Sequence, residues 1–425
     1  MYRRRFCSSL GAALALSGSP GIADADDGPM VGPIRLVGNR VAMPVRVNQA
    51  GTFLFAIDTG GAISLIREDL ARTLSLPYGG SLNVGVAGHD GPHETFVIED
   101  ATLAGIVRQQ NVRLVGVGPT VLGDQIAGAL ASGILTTVFS ELNFDTLQWR
   151  VWPNGRPNLA GFTRLDSEIT RSEPGRWSPA LTAAGTVNGT RLRFLLDTGG
   201  LSLVRLNHRA ARDLGLWSDD HPFAPLPNGR RIVRLKTMAF AGYVFDGLLA
   251  LLLSDNREDD ISDGLIGLPL LRCFNLACDP AGHVIWARRS GLSPAPFTYP
   301  LSGLAATQAR GALRVTAVGK GSPGEQAGIR PDDTILSQAP PGDPASTGRP
   351  ARLRRVADDQ PPFRAILRHG HPTPLSLTII PRRHMRITSR ISRQVIRRMP
   401  CCSINRVNDR SVRQAASWMR IWVKR

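Results

Sequence analysis

The chain has 425 residues, 42% of them hydrophobic and 20% charged, too many for one core and enough for about three domains of ~100–200 residues. Few aromatics beside 44 Gly and 31 Pro favour short strands and turns over a helical bundle. The net charge of +17 argues against a broadly basic nucleic-acid-binding body, because thirteen Arg and Lys against the single acid Asp409 lie from Arg382 onward.

Residues 1–25 read as an export signal: Arg3-Arg4-Arg5, a short apolar run from Leu10 to Leu16, then Ala23-Asp24-Ala25. The run is shorter than the ~20 residues that cross a bilayer. Arg3-Arg4-x-Phe6 also resembles a twin-arginine signal, so the expected address is periplasmic or secreted, by the Sec or the twin-arginine route. The five cysteines have no metal-ligand spacing, and the eight His include no HExxH, so neither metal nor cofactor is expected. Cys273 and Cys278 read as buried thiols.

Two segments of similar plan follow, 31–160 and 161–298. Each opens with strand text containing a turn, Ile34 to Val41 in the first and Ala184 to Leu192 in the second, where Asn188-Gly189 is a hairpin signal. Each then runs through apolar residues into Asp-Thr-Gly-Gly: Phe55-Ala-Ile-Asp58-Thr59-Gly60-Gly61 and Phe194-Leu-Leu-Asp197-Thr198-Gly199-Gly200. Short helices are expected over Arg67 to Leu74 and Asn207 to Leu214. Further on come Gly133 and Gly267, then Leu142-Asn-Phe-Asp145 and Leu276-Ala-Cys-Asp279, then Trp149 to Trp152 and His283 to Trp286. Four landmarks in one order identify a duplicated, mostly β unit.

The duplication supplies one carboxylate per copy. Two carboxylates ~3 Å apart cannot both ionise, so they share a proton, one acting as base toward water while the other donates. Asp58 and Asp197 are therefore the candidate catalytic pair. Gly60 and Gly199 permit a tight turn that aims backbone N–H groups at the carboxylates. Thr59 and Thr198 carry hydroxyls able to lock one turn against the other. The simpler reading of one such turn is an Asp capping its own backbone.

These two turns, with Leu265-Ile266-Gly267 and Ala131-Ser132-Gly133 downstream, resemble retropepsin-like aspartic proteases over about 31–298, with both lobes in one chain as in pepsins. The resemblance implies two pseudo-symmetric β lobes, peptide or protein substrates, a monomeric active unit and β-hairpin flaps over the cleft. Gly85, Gly88 and His89 suit one flap, and Asn228 and Gly229 a shorter counterpart.

A Pro-rich joint, Leu292 to Pro300, leads to a third unit at about 301–382. Its text GSPGEQAGIRPDDTIL resembles a PDZ domain of the bacterial protease type, an α+β module that binds peptide by strand addition. The resemblance implies Ser302, Gly303 and Leu304 as a carboxylate-binding loop and Arg352 to Val356 on a groove helix. A hairpin around His369-Gly370-His371 closes the unit. Residues 383–425 read as a solvated basic tail, with contact to nucleic acid or anionic membrane as the lesser alternative. The rival to an exported aspartic endopeptidase is an inactive scaffold that binds peptides through the PDZ-like unit.

Overall fold

The computed structural model describes residues 28–86, 89–170, 177–254, 262–297, 299–309 and 312–336, with short strands at Leu14–Ala15, Ala351–Arg355, Arg364–Leu367 and Leu377–Ile380. The rest of the expected export signal, Gly88, the His369 turn and the 383–425 tail lie outside the described residues. The fold is mainly β, with 50% strand and 11% helix. It divides into one compact unit of residues 1–210, 234–251 and 256–297, and another of 211–233, 252–255 and 298–425.

In the first unit, Gly51–Asp58 lies antiparallel to Arg40–Val47 and parallel to Gly128–Ala131. Gly128–Ala131 pairs onward with Leu65–Arg67, and that strand with Val107–Val117. On the other side Arg40–Val47 pairs with His89–Leu103, which itself pairs with Val107–Val117, so the path closes. The second copy repeats this centre. Thr190–Asp197 lies antiparallel to Leu181–Val187 and parallel to Gly264–Gly267, which pairs with Val204–Leu206. Strands with partners on both edges and cover on both faces are nearly continuously apolar. Phe55, Ile57, Phe194 and Leu196 are accordingly buried. The two expected helices form as Glu68–Thr73 and His208–Asp213.

A six-stranded antiparallel sheet draws on both copies, with Phe139–Asn143 directly beside Phe274–Asp279. In that pair Leu142 faces Leu276. Each of these leucines stands three residues before its copy's Asp145 or Asp279, so the antiparallel ladder sets equivalent residues opposite each other. That is the signature of a local twofold. Polar groups fasten the seam: the Phe144 N–H donates to Asn275 Oδ1 at 2.7 Å, and Asn275 Nδ2 donates to Asp145 Oδ2 at 2.6 Å. The Gly291 N–H donates to Asp145 Oδ1 at 2.7 Å and, with Asn275, holds that carboxyl below its ordinary range. Asp279 caps Gly282 and pairs with Arg156.

Two equivalences drawn from the sequence are corrected by strand register. The residues beside Asp58 and Asp197 are Ala131 and Gly267, and three residues earlier in the same strands Gly128 matches Gly264. Gly133 is therefore not the counterpart of Gly267, and Leu130, not Ser132, matches Ile266. The recurring glycine has a steric cause: a Cβ on Gly128 would strike the Phe55 ring and the Leu65 carbonyl, and one on Gly264 would strike the Arg205 carbonyl. Likewise the counterpart of the Asn188 turn is Asn48, not the turn within Ile34 to Val41. Asn48 and Asn188 have φ of 47° and 50°. Each side-chain oxygen accepts an N–H from a neighbouring strand, Asp100 for one and Lys236 and Thr237 for the other.

The second unit carries six antiparallel strands in chain order: Leu304–Ala309, Ala312–Val318, Asp333–Leu336, Ala351–Arg355, Arg364–Leu367 and Leu377–Ile380. Leu304, Val315, Ile329 and Ile335 form its core. The short helix Pro323–Gln326 is capped by Ser322 Oγ, which accepts the Glu325 N–H at 3.2 Å, and Gly328 at φ 73° ends it. The helix expected at Arg352 to Val356 is instead a strand over Ala351–Arg355, paired with Asp333–Leu336. Pairing satisfies an edge that a helix would leave open. In the same unit Ala224–Pro225 pairs with Arg231 and Ile232 around Pro227–Gly229.

The register makes a stability test. Gly264→Ala should lower unfolding stability by about 1–3 kcal/mol, the usual penalty of overpacking. Gly133→Ala, whose Cβ would meet nothing closer than Ser178 Oγ at 3.2 Å, should stay within about 1 kcal/mol of the parent. Urea unfolding of both variants checks it; equal losses would contradict the register.

Candidate active site

Asp58 and Asp197 stand at the ends of the two central strands, in the same unit, where the chain leaves each sheet through Thr-Gly-Gly. Four hydrogen bonds join the turns. Thr59 Oγ1 donates to the Leu196 carbonyl at 2.6 Å and accepts the Thr198 N–H at 2.9 Å. Thr198 Oγ1 donates to the Ile57 carbonyl at 2.6 Å and accepts the Thr59 N–H at 3.1 Å. Both threonines are buried, at 3% and 1% exposure, so no water competes for these bonds. The lock is reciprocal, with each hydroxyl spanning from its own turn to the other strand.

The lock brings the carboxyls together. Asp58 and Asp197 are half-buried and within hydrogen-bonding reach of each other. The Gly61 N–H donates to Asp58 Oδ1 and the Gly199 N–H to Asp197 Oδ1, both at 2.9 Å. Glycine is required by proximity here: a Cβ on Gly60 would run into the Asp197 carboxyl, and one on Gly199 into the Asp58 carboxyl. Surrounding protein raises both acidities' pKa values, since a charge here loses water. Asp197 is pushed up to about 7, first by burial and then by the neighbouring Asp58 charge. Asp58 is raised by burial and partly relieved by its bond to Asp197. Such a pair holds one proton between two oxygens near neutral pH.

Two cations passed over in the sequence bear on the pair. Arg40, anchored by donating to the Val121 carbonyl at 3.2 Å, favours ionised Asp58, and Arg205 favours ionised Asp197. Arg205 was legible as a charge inside the apolar run Leu201 to Leu206. Ser64 was not: its Oγ accepts the Ala131 N–H at 3.1 Å and ties the first turn to the adjacent strand.

Other candidates fall in different places. Gly85 lies in the Tyr78–Val86 strand, paired across the hairpin with Asp90, and Val86 faces His89. Leu82, Val84 and Val86 of this hairpin pack on the core that includes Ala56 and Ala129. Asn228 and Gly229, at φ 63° and 72°, form the turn of the short hairpin in the second unit. In the Ser302-Gly303-Leu304 turn, the Gly303 N–H donates to the Pro300 carbonyl and the Leu304 N–H to Ser302 Oγ, so these amides are committed within the turn. Among the described residues no group of three or more His, Cys, Asp or Glu is placed to hold a metal ion.

Against known proteins, the aspartyl protease family model matches residues 183–270, a span that holds the Asp197 turn and its parallel partner Gly264–Gly267. The likeness is to a family of peptidases, and it covers the second copy alone. No curated protein matched the chain.

Two outcomes follow from this geometry. Thr198→Val strands the Thr59 N–H and the Ile57 carbonyl in a buried place and should cost about 2–4 kcal/mol of unfolding stability, while Thr198→Ser should restore most of it. Asp197 has a folded-state pKa of about 7 against an ordinary 3.8. Its contribution to stability is therefore full below the lower value and lost as pH rises through the upper one. Asp197→Asn should exceed the parent in stability at pH 8, and the difference should shrink toward pH 4 in parallel denaturation curves.

Proposed function

We propose that the chain is an aspartic endopeptidase of two lobes, in which Asp58 and Asp197 hydrolyse a peptide bond through one activated water. The observation that carries this reading is the reciprocal threonine lock, which holds the two carboxyls within reach of one proton. The pair shares one proton between two oxygens. The ionised carboxyl takes a proton from water as the water oxygen attacks the carbonyl carbon, and the protonated carboxyl donates to the carbonyl oxygen. Collapse of the tetrahedral species then returns a proton to the leaving nitrogen and frees the carboxyl and amino products. The Tyr78–Val86 and His89–Leu103 hairpin is the proposed flap.

Export belongs to the same proposal, on the strength of the Arg3-Arg4-Arg5 and Leu10 to Leu16 pattern. A PDZ-like role for residues 301–382 is supported by the GSPGEQAGIRPDDTIL text, within which the short helix Pro323–Gln326 is capped by Ser322 and ended by Gly328. Peptide would be held there by strand addition rather than by the Ser302 to Leu304 amides.

Asp58→Asn and Asp197→Asn should each lower kcat/KM on a peptide library by about 10³-fold or more with far-UV circular dichroism unchanged. Because the proton shared with Asp197 leaves as pH rises through about 7, the parent's kcat/KM should fall on that side. Full cleavage by either variant would sink the proposal.

A further inference from the structure

The sheet of the second unit ends at Leu304–Ala309, which pairs on one side with Ala312–Val318. Alternate N–H and C=O groups of such an edge strand point away from its partner and can template a further strand. The start of this strand is covered by a segment of the same unit, residues 222–230. Ala224–Pro225 and Pro227–Gly229 both bring Cα atoms within 8 Å of Leu304–Ala309. The Gly319 N–H donates to the Gly303 carbonyl at 2.8 Å, and a Cβ on Gly319 would strike the Phe223 carbonyl and Pro225 Cδ. Leu304 belongs to the core of the unit, so Ala305 points to the other face. Ala305 is buried all the same, as are Ala224 and Pro225.

The covering segment is held in shape by its own bonds. Ala224 pairs with Ile232 and Pro225 with Arg231. The Arg231 guanidinium lies over the Phe223 ring at 4.1 Å and the Trp217 ring at 4.6 Å, and it donates to Asp219 Oδ1 at 2.6 Å. Ser254 Oγ donates to the Asn228 carbonyl at 2.6 Å and steadies the tip. Hydrogen bonding to the strand beneath is what the segment lacks. Pro222, Pro225 and Pro227 remove three N–H groups from it. Among the described residues no backbone hydrogen bond joins it to Leu304–Ala309. It lies over the start of the strand without pairing with it.

We propose that residues 222–230 form an internal cover, which an extended peptide displaces when it adds a strand to Leu304–Ala309. The inference rests on the strand-addition reading given above. A peptide free of proline gains ladder bonds that Pro222, Pro225 and Pro227 cannot make, so displacement exchanges apolar contact for a paired backbone. Only the uncovered fraction of chains binds, and apparent affinity is weakened by that fraction. The cover lies within residues 183–270, the span matched by the aspartyl protease family. Peptide capture therefore acts on a segment of the second copy.

Gly319→Ala is the wedge that tests this. Gly319 is not among the positive-φ glycines, and the three nearest atoms its Cβ would meet all belong to the cover. The probe is a fluorescein-labelled Ser-Thr-Val-Thr-Val-Ser peptide, titrated by anisotropy into the purified full chain beside Ser-Thr-Pro-Thr-Pro-Ser, which cannot pair as a strand. Gly319→Ala should bind the probe about tenfold tighter than the parent, because overpacking raises the uncovered fraction. Phe223→Ala, which takes away the ring under Arg231, should shift affinity the same way, and the proline peptide should bind no form. Amide hydrogen exchange over 304–309 should quicken about tenfold in Gly319→Ala and slow again with the probe bound, while thermal unfolding stays cooperative. Equal probe affinity in the parent and both variants, or unchanged exchange over 304–309, overturns the cover and leaves strand addition standing. No saturation by any form overturns both.

Discussion

The exchange of hydroxyls between Thr59 and Thr198 is the constraint on which the candidate site depends. Each side chain donates to the other copy's strand and accepts from the other copy's turn. Satisfying two N–H groups and two carbonyls this way leaves no freedom to slide one turn against the other without stranding buried polar groups. The carboxyls are consequently pressed together in a place where neither keeps its water. Close approach of two acids is unfavourable taken alone, and it persists because the surrounding lock over-determines it.

A second seam works on the same principle at the far end of the repeat. Leu142 and Leu276 face each other across an antiparallel ladder, and Asn275 bridges Phe144 and Asp145. The paired Asp145 and Asp279, landmarks of the repeat in the sequence, are consumed as acceptors for Gly291 and Gly282. Asp145 is held ionised while Asp197 is held toward its protonated form. Burial comes first in the difference: Asp197 loses its water and meets another carboxyl, whereas Asp145 is exposed and accepts backbone and amide N–H groups.

Much of the central plan was legible in the residues because it depends on short-range rules. Asp-Thr-Gly-Gly at the end of an apolar run, repeated, located both strand ends and both acids. Asn188-Gly189 marked its hairpin. The strand equivalences were not legible in the same way. Gly133 looked like the partner of Gly267, but the glycine that recurs does so because Phe55, Leu65 and Arg205 crowd it from other strands. The Arg352 to Val356 segment failed for a related reason, since an unpaired strand edge took up residues whose local text is neutral between helix and strand.

By itself the sequence determined that the chain is mainly β, that it is duplicated, and that each copy brings one Asp, one Thr and two glycines to a turn. The repeated text suffices for that, although the need for glycine is itself tertiary, since a Cβ on Gly60 or Gly199 would strike the other copy's carboxyl. Whether the two acids meet was decided by tertiary structure, through bonds between residues about 140 positions apart. So was the charge of the acids, since Asp58 and Asp197 have the same neighbours along the chain and owe their shifted proton affinity to burial and to each other.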